Sequence, residues 1–333
     1  MALARPPSEP AIGIGLAAAV VAIDGQAPQI LVAGAERGEL PGLPSGRFEP
    51  QSHRTLEIGL RAFVTEQTGL GLGYVEQLYT FGDRGRIAEP DEATHVVSIG
   101  YLALTRFDED RAALPKGARF RPWYAFFPWE DWRDGRPAIL SQILPALFAW
   151  AADSAAERAE GDRRPLTRLE RLSFSFGVGP DAPDQMHWDE EKVLERYELL
   201  YEAGLLVEAR RDGRPAALAR ESTPALGQPM RFDHRRILAT AMGRLRGKLK
   251  YRPVVFELLA PTFTLTTLQR TVEAISGRHV HTQNFRRVVE AAALVETTGE
   301  TATTGGRPAA LFRFRRDVIQ ERPAPGLRLG ARG

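Results

Sequence analysis

The period of apolar and polar positions changes several times along the chain. Residues 11–23 (AIGIGLAAAVVAI) and 27–33 (APQILVA) are apolar runs on either side of Asp24-Gly25, a dipeptide that favours a tight hairpin. Over 52–69 (SHRTLEIGLRAFVTEQTG) the period lengthens to that of a helix: Leu56, Leu60, Phe63 and Val64 share a face, and Gly69 suits the C-cap. Residues 74–83 (YVEQLYTFGD) and 95–105 (HVVSIGYLALT) return to β-branched and aromatic strands. A strand-rich unit around one helix is predicted for 10–136.

From Pro137 the helical period dominates. Residues 138–160 form one segment, interrupted or begun at Pro145, and 189–204 form another with Asp189 as candidate N-cap. GDRRP (161–165) and ESTPALGQP (221–229) read as linkers, so 137–230 is a largely helical insertion. Helices then follow over 233–250, 263–277 and 282–293, with two strands around a Gly/Thr loop over 294–314. Residues 1–10 and the tail 320–333 read as disordered. GRPAAL occurs at 213–218 and 306–311, each time after an LVE triplet. A duplicated helix-plus-hairpin and a chance repeat both account for it.

Composition narrows the classes. A length of 333 residues suits two or three domains. Zero cysteines exclude disulfides and thiolate metal sites and fit a reducing cytoplasm. The longest apolar run, 12–23, is too short to cross a bilayer, and its weakly basic, proline-containing flank does not suit a signal peptide. The net charge of +2 hides an asymmetry: residues 231–333 carry 19 Lys+Arg against 8 Asp+Glu, and 1–230 carry 25 against 34. A basic module for a polyanion, carried on an acidic module, is the expectation.

The basic part has a reading head. Thr264 is a natural N-cap, with Phe263 and Leu268 placed for a hydrophobic staple, and Gly277 ends that helix. In the next helix, capped by Thr282, the stripe Phe285, Val288, Val289 and Ala292 is apolar. Gln283, Arg286 and Arg287 point the other way, with Asn284 at the margin. Such side chains at a helix start suit the major groove, where Arg reads guanine and Gln or Asn reads adenine. Arg286, nearer the start than Arg287, is the expected base reader. The hairpin tip from Gly299 to Arg307 would be a wing, making helix–helix–hairpin a winged helix over 231–318. Thr282, Gln283, Asn284, Arg286, Arg287 and Arg307 are the candidate DNA contacts. A solvated face or a protein contact would look the same.

In the acidic part, residues 62–70 (AFVTEQTGL) resemble the end of a Nudix box, R-E-U-x-E-E-x-G-U with U a bulky aliphatic. Glu66, Gly69 and Leu70 stand in place. Phe63 and Gln67 replace two of three carboxylates that lie at i, i+3 and i+4 on one helix face and hold Mg²⁺ against a diphosphate. One carboxylate is a poor Mg²⁺ site. Phe48 and Arg54 fall at the Gly and first Glu of the box.

VEQLYTFGD (75–83), VVSIGYLAL (96–104) and, nearly without interruption over 232–314, FDHRRIL, LRGKLKYRPVVFELL, FTLTTLQRTVEAISG, NFRR and GRPAALFRF resemble the NrtR family of Nudix-related regulators of NAD metabolism. The resemblance implies an α+β protein: a Nudix-like α/β/α sandwich, then a helical insertion and a C-terminal winged helix-turn-helix domain. It implies a cytoplasmic, homodimeric repressor that binds a palindromic operator in double-stranded DNA and is no enzyme. ADP-ribose or a related NAD-derived nucleotide is the implied effector, with Arg37, Glu66, Phe81, Arg84 and Arg86 as candidate ligand contacts and with no metal, cofactor or catalytic residue. Two stretches depart from the family: the loop RGRIAEPDEATH (84–95) after FGD, and residues 137–230, where the family has a brief connection. An active hydrolase of ADP-ribose or a nucleotide sugar, its winged helix used for dimerisation, is the alternative, and a winged-helix regulator answering another ligand is a second.

Overall fold

The computed structural model describes residues 11–34, 39–83, 94–107, 114–153, 166–179, 185–303, 308–321 and 326–327. Its centre is a mixed six-stranded sheet in the order β4 (Tyr74–Phe81), β5 (Thr94–Leu104), β1 (Ala11–Asp24), β2 (Ala27–Val32) and β6 (Arg119–Pro122), with β3 (Ser45–Arg47) also on β1. β1 and β5 run parallel from Ala11↔Thr94 to Val21↔Leu104, while β1 and β2 form the expected hairpin, closing at Asp24↔Ala27. Gly25, at φ 58, supplies the left-handed conformation of that turn.

The strand period of two sorts β1 onto two faces. Leu16, Ala18 and Val20 join Leu60 and Val64 of α1 (Leu56–Thr68) in one core, and Ala17, Ala19 and Val21 join a larger core on the other side. α1 has the expected ends: Thr55 accepts from the Ile58 N–H, and Gly69 at φ 74 is the C-cap. The second face is covered by α7 (His234–Leu249), and the preceding helices α2 (Leu140–Ala152), α3 (Arg168–Phe176), α4 (Val193–Glu202), α5 (Val207–Arg211) and α6 (Pro215–Leu218) extend the same core, with α4 packed on α7. The α/β/α sandwich expected from the resemblance is therefore present.

The segment 137–230 is helical but not a separate body. Leu140, Ile143, Leu172, Phe176, Tyr197 and Leu200 lie in the same core as Leu102 and Ile237. Its stem is closed: Gln228 N–H donates to Ala125 O at 2.8 Å, and the buried Arg235 guanidinium bonds both Phe126 O and Leu226 O. A Cβ on Gly227 would sit 2.5 Å from Phe126 O, so only glycine lets the two arms meet.

Several local expectations are corrected. Pro145 neither begins nor breaks α2, because both Pro145 and Ser141, whose carbonyl loses its helical partner, are exposed to water. α4 starts at Val193, since the Asp189 carboxylate caps a preceding turn by accepting from Glu191 N at 3.0 Å. α3 carries a capping box, Thr167 with Glu170, that the linker reading passed over. The GRPAAL echo is not a duplication: Pro215–Leu218 is helix α6, whereas Ala309–Phe314 is strand β8. The tail is ordered in part, with Gln320 and Glu321 inside the short α10 (Val318–Glu321) and Leu327 buried, its N–H donating to Leu249 O at 2.7 Å. The lead-in 1–10 lies outside the described residues.

After α7 come α8 (Leu265–Ser276), α9 (Thr282–Ala292), β7 (Val295–Ala302) and β8. β7 and β8 pair antiparallel, and Phe263 adds a further bridge to Phe312 of β8. Phe256 stacks on Phe314 with ring centroids 4.4 Å apart, fixing the hairpin to the turn before α8. Helix, helix and hairpin lie in winged-helix order.

Candidate nucleic-acid interface and effector domain

α8 and α9 are set by local chemistry. Thr264 accepts from Thr267 N at 3.1 Å, both staple residues Phe263 and Leu268 are buried, and Gly277 at φ 74 closes α8. His281, not Thr282, is the N-cap of α9, and it makes no side-chain cap bond. Thr282 is the first helical residue instead, exposed, with its hydroxyl 3.4 Å from the Gln269 amide nitrogen. Phe285 and Val289 are buried, Val288 and Ala292 half-buried, and Gln283, Arg286 and Arg287 exposed. Asn284 is half-buried, and its Oδ1 accepts from Arg287 Nη2 at 2.9 Å. Arg307 lies outside the described residues.

At ~100° per residue, Gln283 and Arg287 stand nearly opposite the apolar stripe, with Arg286 and Asn284 on either flank. Arg286 borders a groove of ≈ 870 Å³ between α8 and β8. Asn284 borders a different hollow of ≈ 690 Å³, whose far wall is the 186–191 segment of the insertion.

Much of the positive charge after residue 230 is neutralised inside the molecule. Arg244 and Lys248 bind Glu76 at 3.1 and 2.9 Å, Arg236 binds Asp83 and Glu198, and Lys250 and Arg278 bind Glu190. These acids belong to 1–230, so the charge asymmetry also records an internal seam between the two parts. Tallying charges could not show this, because pairing is set by the fold.

The centre of that seam is a buried carboxylate. Glu130, fully buried, accepts from Arg196 Nε and Nη2 at 2.7 and 2.8 Å and from Arg246 Nη1 at 2.7 Å. Arg196 stacks on Trp188 with its guanidinium 3.8 Å from the ring centroid. The same region satisfies the end of α8: Tyr124 OH donates to Ala274 O, Arg246 Nε to Ile275 O and Trp132 N to Gly277 O, at 2.7, 2.9 and 2.7 Å. These carbonyls would otherwise be among the orphans of a helix C-terminus. Sequence reading missed Glu130, Arg196 and Arg246 altogether.

In the sandwich, Phe63 and Gln67, which stand where a Nudix box carries carboxylates, pack against neighbouring residues. The Phe63 ring fills the space over Gly46, where a Cβ would lie 2.7 Å from it, and meets His53 edge-on at 5.3 Å. Gln67 bonds the Ser45 backbone twice, accepting at 3.1 Å and donating at 2.6 Å. Glu66 is exposed on α1. Phe81 is 1% exposed, under the Arg236 guanidinium and against Gly100 and Ile237 on the opposite face of the sheet from α1. It is thus a seat for α7 and is withdrawn from any ligand, so the structure does not bring it together with Glu66. Arg37, Arg84 and Arg86 lie outside the described residues. Among the described residues no group of three or more His, Asp or Glu is placed to hold a metal ion.

Residues 255–314, the turn, α8, α9 and the hairpin, match the family model of the NrtR DNA-binding winged helix domain. This part of the chain is similar to the NrtR winged helix. The ADPR responsive transcriptional repressor NtrR of Acinetobacter baylyi is 39% identical over 90 residues, 27% of this chain and 36% of that protein. The chain thus matches about a third of the length of that curated relative. The whole architecture is similar to the Shewanella oneidensis NrtR crystal structure in complex with a 27mer DNA, at TM-score 0.54 and 19% identity over 92% of this chain and 95% of that one. A MutT/nudix family protein from Enterococcus faecalis is similar at TM-score 0.51 and 14% identity, over 93% and 89%. At these identities the likeness establishes the fold alone: an α/β/α sandwich joined to a winged helix.

Proposed function

We propose that the chain is a transcriptional regulator, acting in the cytoplasm as a homodimeric repressor on palindromic double-stranded DNA. Its Nudix-type domain binds ADP-ribose or a related NAD-derived nucleotide without hydrolysing it, and that ligand changes the affinity for DNA. The observation that carries this reading is α9: Gln283, Arg286 and Arg287 exposed at the start of the second helix of an NrtR winged helix. Thr282, Asn284 and Arg307 flank them as further DNA contacts, and Arg37, Glu66, Arg84 and Arg86 are the ligand contacts that remain once Phe81 is set aside. The curated relative's description as ADPR responsive supports the effector class. Phe63 and Gln67, both committed to packing against β3, support binding without turnover.

Fluorescence anisotropy on the chain's own upstream DNA, titrated with ADP-ribose and with NAD, tests the reading. A ligand that binds free and DNA-bound protein unequally shifts the DNA isotherm, in keeping with a coupling of roughly 1–3 kcal/mol. Absence of sequence-preferring DNA binding would overturn the regulator. Identical isotherms with a ligand shown to be bound would overturn the sensor. Rapid ADP-ribose turnover abolished by Glu66→Gln would turn the reading towards a hydrolase.

A further inference from the structure

The two flanks of α9 differ in charge, and the difference comes from the insertion. On the wing side, the groove between α8 and β8 is lined by Thr262, Thr266, Thr267, Arg270 and Arg286 with small and apolar residues and, among the described residues, by no carboxylate. Arg270 and Arg286 are exposed and have no acidic partner among the described residues. That sets them apart from Arg278 and Arg313 of the same domain, which pair with Glu190 and Glu296. On the other flank, the hollow beside Asn284 is walled by Asp189, Glu190 and Glu191. Its lysine and its arginine are already engaged, Lys250 with Glu190 and Glu191 and Arg278 with Glu190, and of the histidines that also line it, His187, His279 and His281, His279 is bonded to Glu273.

From this asymmetry, and resting on the DNA-binding reading above, we propose that the DNA backbone is gripped on the wing side of α9 alone, by Arg270 and Arg286, and held off the opposite side by the insertion's carboxylates. Guanidinium groups without a carboxylate partner are the strongest phosphate donors a protein surface offers, and hydroxyls beside them add neutral bonds. A phosphate approaching the insertion side meets three acids whose field opposes it, and Lys250 and Arg278 reach it only by leaving their pairs. Base reading then falls to Gln283 and Arg287, which face outward between the flanks. Arg286 becomes a phosphate contact, contrary to the expectation that it reads a base. The insertion acquires a task through this geometry: it narrows the footprint of each winged helix to one side of the recognition helix.

The test is salt-dependent anisotropy of the full chain on its upstream DNA and on a random duplex of equal length. Arg270→Ala and Arg286→Ala should each weaken both duplexes by the same factor, roughly fivefold near 0.15 M salt, and flatten the salt slope by about one unit. Arg287→Ala should instead weaken the upstream DNA selectively. The double variant Glu190→Gln/Glu191→Gln, and separately the charge reversal Glu191→Lys, should bind both duplexes several-fold more tightly than wild type. If Arg270→Ala and Arg286→Ala keep the wild-type slope, or if the Glu190/Glu191 variants bind no better, this proposal fails while the DNA-binding reading stands. If wild type binds neither duplex, both fail together.

Discussion

Gln67 holds both backbone polar groups of Ser45, donating to its carbonyl at 2.6 Å and accepting from its N–H at 3.1 Å. A glutamate at this position can accept but cannot donate, so restoring the acid of an intact box breaks one of the two bonds and sets a carboxylate against a carbonyl oxygen. Gln67→Glu is expected to cost about 1 kcal/mol, the usual net worth of one hydrogen bond, because this pair is half-buried. Phe63→Glu adds the loss of the ring seated over Gly46. The double variant should therefore lose stability in urea unfolding and still fail to hydrolyse ADP-ribose with Mg²⁺. A variant as stable as wild type, or one that turns over substrate briskly, would show that the site remained a hydrolase scaffold.

What could be read in the sequence was local. Thr264, Gly277 and the Phe285–Val289 stripe define α8 and α9 within a few residues, and the structure places each as expected. The places of Phe63 and Gln67 on one face of α1 were equally legible, because helical spacing fixes them. Phe81 was not: strand alternation says that a residue faces one side of a sheet, not that Ile237 and Arg236 will cover that side. Nor was Glu130, whose partners Arg196 and Arg246 lie 66 and 116 residues away. The capping box of Thr167 and Glu170 was readable and overlooked, hidden between segments taken for linkers.

Glu130 supports two arginines with no exposure to water. Glu130→Gln keeps the shape and removes the charge, leaving Arg196 and Arg246 buried without their carboxylate. Breaking such a pair from one side typically costs ~3–5 kcal/mol. We expect a lower urea midpoint of that order. A shift below about 1 kcal/mol would mean that the backbone carbonyls of Ser175, Asp189, Ile275 and Glu190 already satisfy the two guanidinium groups.

His234 makes stability depend on pH. Leu43 N–H donates to its Nδ1 at 2.9 Å, which requires a neutral ring with its proton on Nε2. Burial, helped by Arg231 and Arg211, pushes its pKa down from the ordinary 6.5 to about 3. Between those values the unfolded chain takes up a proton that the folded chain refuses. The stability held by this site is therefore complete above pH 6.5 and is lost as pH falls, by about 1.4 kcal/mol per unit. His234→Gln keeps an acceptor for Leu43 without the titration. Urea midpoints at pH 7.5, 6.5 and 5.5 should fall more steeply for wild type than for the variant, and parallel slopes would remove His234 from the account.

The last carbonyls of α8 are held from outside residues 255–314, and Tyr124 offers the cleanest way to loosen one. Its hydroxyl donates to Ala274 O at 2.7 Å and accepts from Arg246 Nη2 at 3.3 Å. Tyr124→Phe deletes these two bonds and keeps the ring against Trp123. The expected global cost is modest, about 1 kcal/mol. The local effect should be larger in proportion, because the freed carbonyl lies at the turn that aims α9. Hydrogen exchange should speed up over residues 274–284 and stay unchanged in α1, which packs on the far face of the sheet. DNA affinity should fall with it, since a looser turn leaves Gln283 and Arg287 less fixed relative to the wing. Uniformly faster exchange throughout the chain would instead mean that Tyr124 contributes only to overall stability and that its contact with α8 does not position the reading helix.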